Sequence, residues 1–263
     1  PCIHACPTGI DVPTFIKRIA NGDATGAAKT ILTANILGAS CSRVCPTEVL
    51  CEGACVLSHE YEPIQIGLLQ RYATDYVTAR GISVLDAPAE GTGFHVAIVG
   101  GGPAGLGCAA DLASLGHHVV ILEKEVEAGG LNTRGVAYYK MKPRVSLDEV
   151  RLVESLGVEI RTGVNVGTDL TAADLLSQYD AIFVAIGLGH GSELGIPGEV
   201  GTGVRSALDF IRDIHEMPLE SVSIGKTVLV IGGGNTAIDA VCQAKRLGAT
   251  FATLAYRRKE DQM

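Results

Sequence analysis

Positive charge is scarce in this sequence. Its 21 lysines and arginines face 29 aspartates and glutamates, giving a formal net charge of -8 and a pI near 5.4. Such an acidic balance argues against nucleic acid or an anionic membrane as partner. Long apolar runs are missing too, and none approaches the ~18 residues that a membrane-spanning helix requires. The opening residues are polar and cysteine-bearing, so no signal peptide is read there and a cytoplasmic location is expected. Tryptophan is absent. Beyond residue 55 cysteine is reduced to Cys108 and Cys242, and no C-x-x-C follows either glycine-rich turn, which speaks against a disulfide reductase. Both late cysteines read as small buried hydrophobes. No side chain has the setting of a substrate acid or base.

What is abundant is thiol at one end and glycine throughout. Six of the eight cysteines lie in the first 55 residues, four of them in "CSRVCPTEVLCEGAC" and two in "PCIHACP". The spacing is Cys41-x3-Cys45-x5-Cys51-x3-Cys55, preceded by Cys2 and Cys6. Disulfides do not suit a reducing compartment, and structural zinc favours C-x2-C knuckles. Iron–sulfur clusters take cysteine thiolates, with proline commonly after the last one, as in Cys6-Pro7 and Cys45-Pro46. Iron–sulfur is therefore favoured over zinc.

The 33 glycines point to backbone-led recognition of a phosphate. "HVAIVGGGPAGLGCAADLASLGHHVVILEKE" reads strand, glycine turn, helix, strand, with Gly100-x-Gly102-x-x-Gly105 at the turn. The glycines permit a tight turn and close approach to pyrophosphate, and the helix start supplies unpaired N–H groups. Glu123, ending the next strand, is placed to accept from ribose hydroxyls. A second copy, "KTVLVIGGGNTAIDAVCQAKRLGATFATLAYRR", carries Gly232-x-Gly234-x-x-Ala237 and ends in Arg257 and Arg258 instead of an acid. Guanidiniums suit a 2′-phosphate where a carboxylate repels it, which tilts the second site to NADPH while leaving NADH open. Two such units point to a flavoprotein fed by a nicotinamide, FAD on the first and NAD(P)H on the second. Gly129, Gly130 and Leu131 form a turn suited to passing beneath a flavin. A flavin accepts hydride as a pair of electrons and releases them singly, so FAD between NAD(P)H and clusters acts as a converter.

Val12, Phe15, Ile16 and Ile19 follow a helical period that Asp11 can cap and Asn21-Gly22 can end. A short helix bearing Ala27, Ala28, Ile31 and Leu32 follows, and then "IQIGLLQRYATDYV" with Ile66, Leu69, Tyr72 and Ala73. Strands are expected at 158–161 and 180–187. The organisation expected is multidomain: an α-helical, ferredoxin-like iron–sulfur domain (1–84), a linker (85–93), an α/β Rossmann-like FAD domain (94–224) and an inserted, partial Rossmann-like NAD(P) domain (225–263). Beginning at Pro1 within a cysteine motif and stopping after "RRKEDQM", the chain is expected to be a fragment cut at both ends.

"PCIHACP", "GASCSRVCPTEVLCEGAC", "PIQIGLLQRYATD", "VAIVGGGPAGL", "EAGGLNTRGVAYYKMK" and "VLVIGGGNTAIDA…YRR" occur in this order. Together they resemble the amino-terminal part of dihydropyrimidine dehydrogenase, its bacterial small-subunit counterpart, and the related glutamate synthase small subunit. The resemblance implies two 4Fe–4S clusters. Cys6, Cys45, Cys51 and Gln70 would hold one, and Cys2 and Cys55, with two cysteines ahead of Pro1, the other. Cys41 matches a cysteine that is not a ligand. A competing reading makes Gln70 an exposed helix residue. For FAD the resemblance implies Val44, Gly102, Pro103, Ala104, Gly105, Leu106, the stretch from Glu123 and Lys124 to Gly129, Gly130 and Leu131, then Lys140 and Val166. Lys140 stands where animal enzymes carry arginine, and its charge would stabilise an anionic reduced flavin; an exposed loop lysine is the plainer reading. For NAD(P)H it implies Gly233, Gly234, Asn235, Thr236, Arg257 and Arg258, with Asn235 in place of an aspartate and further contacts beyond Met263.

The function expected is an electron-input module of an FAD- and iron–sulfur-dependent NAD(P)H oxidoreductase. It would feed a catalytic FMN-containing domain or subunit in a hetero-oligomer. Pyrimidine reduction is the first expectation and glutamate synthesis the second. A nucleotide-binding regulatory scaffold with a structural metal site is the alternative of another class.

Overall fold

In the computed structural model, which describes residues 1–86, 90–189, 191 and 193–259, the helical periods of the sequence become short capped helices. One turn, α1 (Cys2–Ala5), precedes α2 (Val12–Ala20), whose first turn is capped by Asp11 Oδ1 accepting from Thr14 N at 3.1 Å. The helix ends at Asn21, and Gly22 takes φ 79°, a left-handed value that glycine adopts without steric penalty. Asp23 caps α3 (Ala24–Ala34) through Gly26 N at 2.7 Å. Then come α4 (Gly38–Val44) and α5 (Ile66–Thr78), with 3-10 turns at Thr47–Val49 and Val56–His59 carrying the cysteine loop between them. Phe15, Ala27, Ala28, Ile31, Ile66, Ala73 and Val77 form the core of this part, with Cys51 among them. The stripe that α5 buries runs Ile66, Gln70, Ala73, Thr74, Val77; Tyr72, which the sequence pattern groups with the apolar stripe, is 51% exposed.

From residue 95 the architecture changes to parallel α/β. Strand β1 (His95–Val99), α6 (Pro103–Ser114) and β2 (His118–Glu123) form the first crossover unit. After them come α7 (Leu131–Arg134), α8 (Pro143–Glu154), β3 (Glu159–Thr162), α9 (Ala172–Gln178) and β4 (Ala181–Val184). The sheet order is β3-β2-β1-β4, all parallel, with Ile98 opposite Ile121 and Phe183. Ile98, Leu106, Ala109 and Ile121 pack at its centre with Val153 of α8. The strands expected at 158–161 and 180–187 are therefore present with trimmed ends. Helices α4, α8, α9 and α10 (Ala207–Glu216) were not read from the sequence. Finally β5 (Thr227–Ile231), α11 (Asn235–Arg246) and β6 (Phe251–Ala255) repeat the crossover, with β5 and β6 parallel. Phe210, Ile214, Val222, Ala240 and Ala244 are its core.

The chain divides into two compact units, one of residues 1–129 and 144–186, the other of 130–143 and 187–263. Of the linker expected at 85–93, residues 87–89 lie outside the described residues, as do 260–263 at the end of the second nucleotide unit. Among the described residues no helix is long and apolar enough to cross a membrane.

Candidate functional site

The first glycine turn leaves β1 at Gly100, whose φ of 106° and crowding against Ala185 O both call for glycine, since an added Cβ would lie 2.4 Å from that oxygen. Gly105 lets α6 close onto the strand: its Cβ would stand 2.0 Å from Gly100 O. Gly102 is the N-cap of α6, with Pro103 at its first helical position, where a missing N–H costs nothing. The loop's acid is already in place. Gly101 N donates to Glu123 Oε2 at 2.7 Å, and Glu125 N donates to Oε1 at 2.9 Å. Each carboxylate oxygen keeps a further lone pair, so Glu123 remains able to accept from ribose. Gly101 itself is a cradle that a Cβ would fill, at 3.0 Å from Ala128 Cβ and 3.2 Å from Glu123 Oε2. Gly129 N closes the loop on Gly101 O at 2.7 Å. These residues fit a dinucleotide. Lys124 is exposed and lies 3.9 Å from Glu125, and Val166 is half-buried beside Leu170.

In the other unit, Gly130 N-caps α7 with φ 57°, and Leu131 is 45% exposed. Gly232 takes φ 140° and donates its N–H to Ala255 O at 2.9 Å. Ala237 fits as the third position of the fingerprint because its Cβ leaves 3.2 Å to a Cβ built on Gly232. Gly233 passes under the Tyr256 ring, which a Cβ there would approach to 2.4 Å. Gly234 N-caps the twelve-residue α11, and Gly234, Asn235 and Thr236 are all exposed. Arg257 and Arg258 are exposed beyond β6, and among the described residues neither pairs with a carboxylate. Lys140 is not a free loop lysine: its Nζ lies 2.6 Å from Asp239 Oδ1.

All eight cysteines are free thiols. Cys6, Cys41, Cys45 and Cys51 are near enough to feel one another's charge. Burial, followed by the fields of Cys41, Cys51 and Cys6, pushes the Cys45 thiol up to about 11. Burial also raises Cys51 and Cys41. At Cys6 burial acts upward as the largest single influence, but hydrogen bonds from the Thr8 side chain and the Ile10, Thr8 and Gly9 backbone together bring it below the usual thiol value. Thiols held together against their own repulsion fit a cationic centre that binds thiolates. Among the described residues no three His, Cys, Asp or Glu side chains close round a single ion; a cluster spreads its ligands over several irons. Cys41 accepts from Asn35 Nδ2 at 3.1 Å. Gln70 is 7% exposed, not a surface residue, and its Nε2 donates to Gly38 O at 2.7 Å, which commits the donor end of the amide. Val44 ends α4 directly before Cys45 and is 36% exposed.

Two acids escaped the sequence reading. Glu149 on α8 is buried and accepts from Ser40 N at 2.8 Å and from Ser40 Oγ, so it caps the start of the cysteine-bearing helix α4. Asp239 on α11 is likewise buried. Asp239 is a lone acid within the apolar pattern of its helix, whereas Glu149 follows the acid Asp148 and carries no such mark.

A helical domain with clustered thiols, followed by two dinucleotide crossover units, defines a nicotinamide- and flavin-type oxidoreductase class. The comparisons narrow it. Residues 94–260 match the pyridine nucleotide-disulphide oxidoreductase family, and residues 1–82 match the 4Fe–4S cluster domain II of dihydropyrimidine dehydrogenase. The chain belongs to the pyridine nucleotide-disulphide oxidoreductase family, with an iron–sulfur domain ahead of the oxidoreductase fold. It is 37% identical over 270 residues to the glutamate synthase [NADPH] small chain of Halomonas elongata, covering all of this chain and 57% of that one. It is 37% identical over 262 residues to the NAD-dependent dihydropyrimidine dehydrogenase subunit PreT of Escherichia coli, covering 100% of this chain and 63% of that one. The chain thus spans about three-fifths of these relatives. Among solved structures, the Mycobacterium tuberculosis oxidoreductase FprA, in a form with covalently modified NADP+, superposes with a TM-score of 0.50 at 31% identity, covering 56% of this chain and 35% of that one. The iron–sulfur reading of the cysteines therefore stands over zinc.

Proposed function

We propose that this chain is the electron-input module of a larger enzyme, taking hydride from NADPH and delivering electrons through FAD to 4Fe–4S centres. One observation carries the reading. The cysteine helices and the first glycine loop belong to a single compact unit, and a buried bond set from Ser40 and Ala39 to Glu149 fixes the helix preceding Cys45 to the α/β part. Electron transfer falls steeply with distance, so a fixed attachment between the two serves it. When bound, FAD supplies the exchange between a two-electron hydride and single electrons. The residues do the rest. The N–H groups of Gly102, Ala104 and Gly105 receive pyrophosphate, with Gly100, Pro103 and Leu106 shaping the turn around it, and Glu123 orients a ribose. Lys124, Gly129, Gly130, Leu131, Lys140, Val166 and Val44 complete the flavin's surroundings as the family resemblance assigns them. Gly232 to Thr236 receive the nicotinamide dinucleotide, and Arg257 and Arg258 select its 2′-phosphate. Cys6, Cys45, Cys51 and Gln70 hold one cluster; Cys2 and Cys55 contribute to a second.

In domain terms, residues 1–84, 94–224 and 225–263 serve cluster, FAD and NAD(P), the last as an insertion; the compact units divide differently, grouping 130–143 and 187–224 with 225–263. The partner is a catalytic FMN-containing domain or subunit, in the cytoplasm, and uracil or thymine reduction is the reading preferred for it. Glutamate synthesis is the second, favoured by equal identity to the Halomonas chain. Purified protein should contain flavin, iron and sulfide, and NADPH should bleach its visible absorption. Colourless protein that binds zinc and does not respond to NADPH would leave the scaffold alternative standing.

A further inference from the structure

The two crossover units share one geometry as far as the end of their second strand. In the first, Val99 pairs with Leu122, and Gly100 N donates to Leu122 O at 2.8 Å. In the second, Ile231 pairs with Ala255, and Gly232 N donates to Ala255 O at 2.9 Å. The residues that follow therefore correspond, Gly101 to Gly233 and Glu123 to Tyr256. Each pair is in contact. Gly101 N donates to Glu123 Oε2 at 2.7 Å, and a Cβ on Gly101 would stand 3.2 Å from that oxygen. A Cβ on Gly233 would stand 2.4, 2.5 and 2.6 Å from Tyr256 Cδ2, Cε2 and Cγ, so the ring lies over the glycine where the first unit presents a carboxylate.

We propose that Tyr256 is a specificity-determining residue of the second loop: its uncharged ring fills the place of the ribose-binding acid and so admits a nucleotide that carries a 2′-phosphate. The proposal rests on the reading of Gly232 to Thr236 as the seat of the nicotinamide dinucleotide. In a crossover of this kind the side chain that ends the second strand meets the adenosine ribose. A carboxylate there accepts from a free 2′-hydroxyl and repels a phosphate in its place, whereas a ring does neither. Arg257 and Arg258 follow directly and supply charge, but a carboxylate at 256 would cancel part of it. Selectivity thus has two parts, an attraction from the arginines and a repulsion that Tyr256 withholds. A tyrosine that merely packed on the loop would favour neither nucleotide.

The test is the ratio of Kd values for NADP+ and NAD+, measured by calorimetric titration of the flavin-loaded full-length protein. The oxidised nucleotides deliver no hydride, so binding alone is read. Tyr256→Glu should weaken NADP+ relative to NAD+ by about tenfold or more, because a carboxylate beside a phosphate opposes it. The fragment 2′,5′-ADP should lose as much and 5′-AMP nothing, which places the effect at the 2′-position. The first unit shows that a crossover accepts glutamate here, and Tyr256→Asp carries the same test should Tyr256→Glu not fold. Tyr256→Gln and Tyr256→Phe add no charge, and both should keep the native ratio. An unmoved ratio in Tyr256→Glu, or an equal loss of both nucleotides in every variant, would show that Tyr256 only packs on the loop. A shift of the same size in Tyr256→Gln would assign the selectivity to the ring's shape and overturn the proposal. Gly234→Val addresses the underlying reading. A Cβ there meets nothing within 4 Å, so the fold accepts it, but it stands where the backbone must approach pyrophosphate. Both nucleotides should be lost; undiminished binding would seat them elsewhere and remove the second site itself.

Discussion

Burial pushes the Glu149 carboxyl up to about 7, against the downward pull of Ser40, Ala39 and Arg43. The sign of its effect on stability follows. Between its ordinary 4.5 and about 7 the folded chain keeps a proton that the unfolded chain has released. The contribution is therefore fully present below 4.5 and lost as pH rises through 7, a change of roughly 3 kcal/mol. Glu149→Gln cannot titrate. Urea unfolding at pH 5 and pH 8 should show the difference between variant and native chain moving by about that amount in the variant's favour; a constant difference would show that Glu149 is ionised throughout. Gln70→Cys would replace a neutral amide by a thiolate and give the cluster one more negative charge, so its midpoint potential should fall in a redox titration. An unchanged potential would mean that position 70 does not touch the cluster. Neither Glu149 nor Asp239 was legible in the sequence as a buried group. An acid among helical residues normally faces water, and only the packing of α8 on α4, or of segment 135–142 on α11, withdraws these two from it.

The crossover units were the most legible elements, because strand, turn and helix leave separate marks within each and the turn permits few substitutions. Gly105→Ala should abolish flavin retention, since its Cβ would lie 2.0 Å from a backbone oxygen that cannot move without unseating the loop. Retained flavin after gel filtration would contradict that account. In the second unit, Arg257→Glu with Arg258→Glu should weaken NADPH at least tenfold and leave NADH nearly unaffected, measured as KM for each nucleotide. Equal loss for both would assign these arginines to something other than the 2′-phosphate. Among the helices that the sequence pattern does not reveal, α4 has the plainest cause. Helix α4 is only seven residues long, lies within the cysteine motif, and starts at Gly38, which is a poor helix former. Its stability comes from tertiary partners: Glu149 at its start, and Arg43, which grips Asp75 of α5 through both carboxylate oxygens at 2.6 and 2.9 Å. Local periodicity could not show either. Tyr72 was misplaced for the opposite reason, since a helical count of apolar residues does not reveal that polar Gln70 and Thr74 occupy the buried stripe.

At the scale of the whole molecule, the two compact units give each ligand a different place to act. Thiols Cys6, Cys45 and Cys51 lie in the first unit, and the loop from Gly232 to Thr236 lies in the second. Anything that binds the folded state alone stabilises it, by about 2.7 kcal/mol at a hundredfold excess over Kd. A cluster does so by holding thiolates that otherwise repel, and its gain belongs to the unit that contains them. Calorimetry should therefore resolve two transitions. Reconstitution with iron and sulfide should raise one of them and leave the other in place, while NADPH should raise the second. Cys45→Ser should cancel the first shift without touching the second, and Arg257→Glu with Arg258→Glu the reverse. If iron and NADPH move one common transition, the units do not unfold independently, and the coupling that Glu149 provides within the first unit must extend through the whole chain.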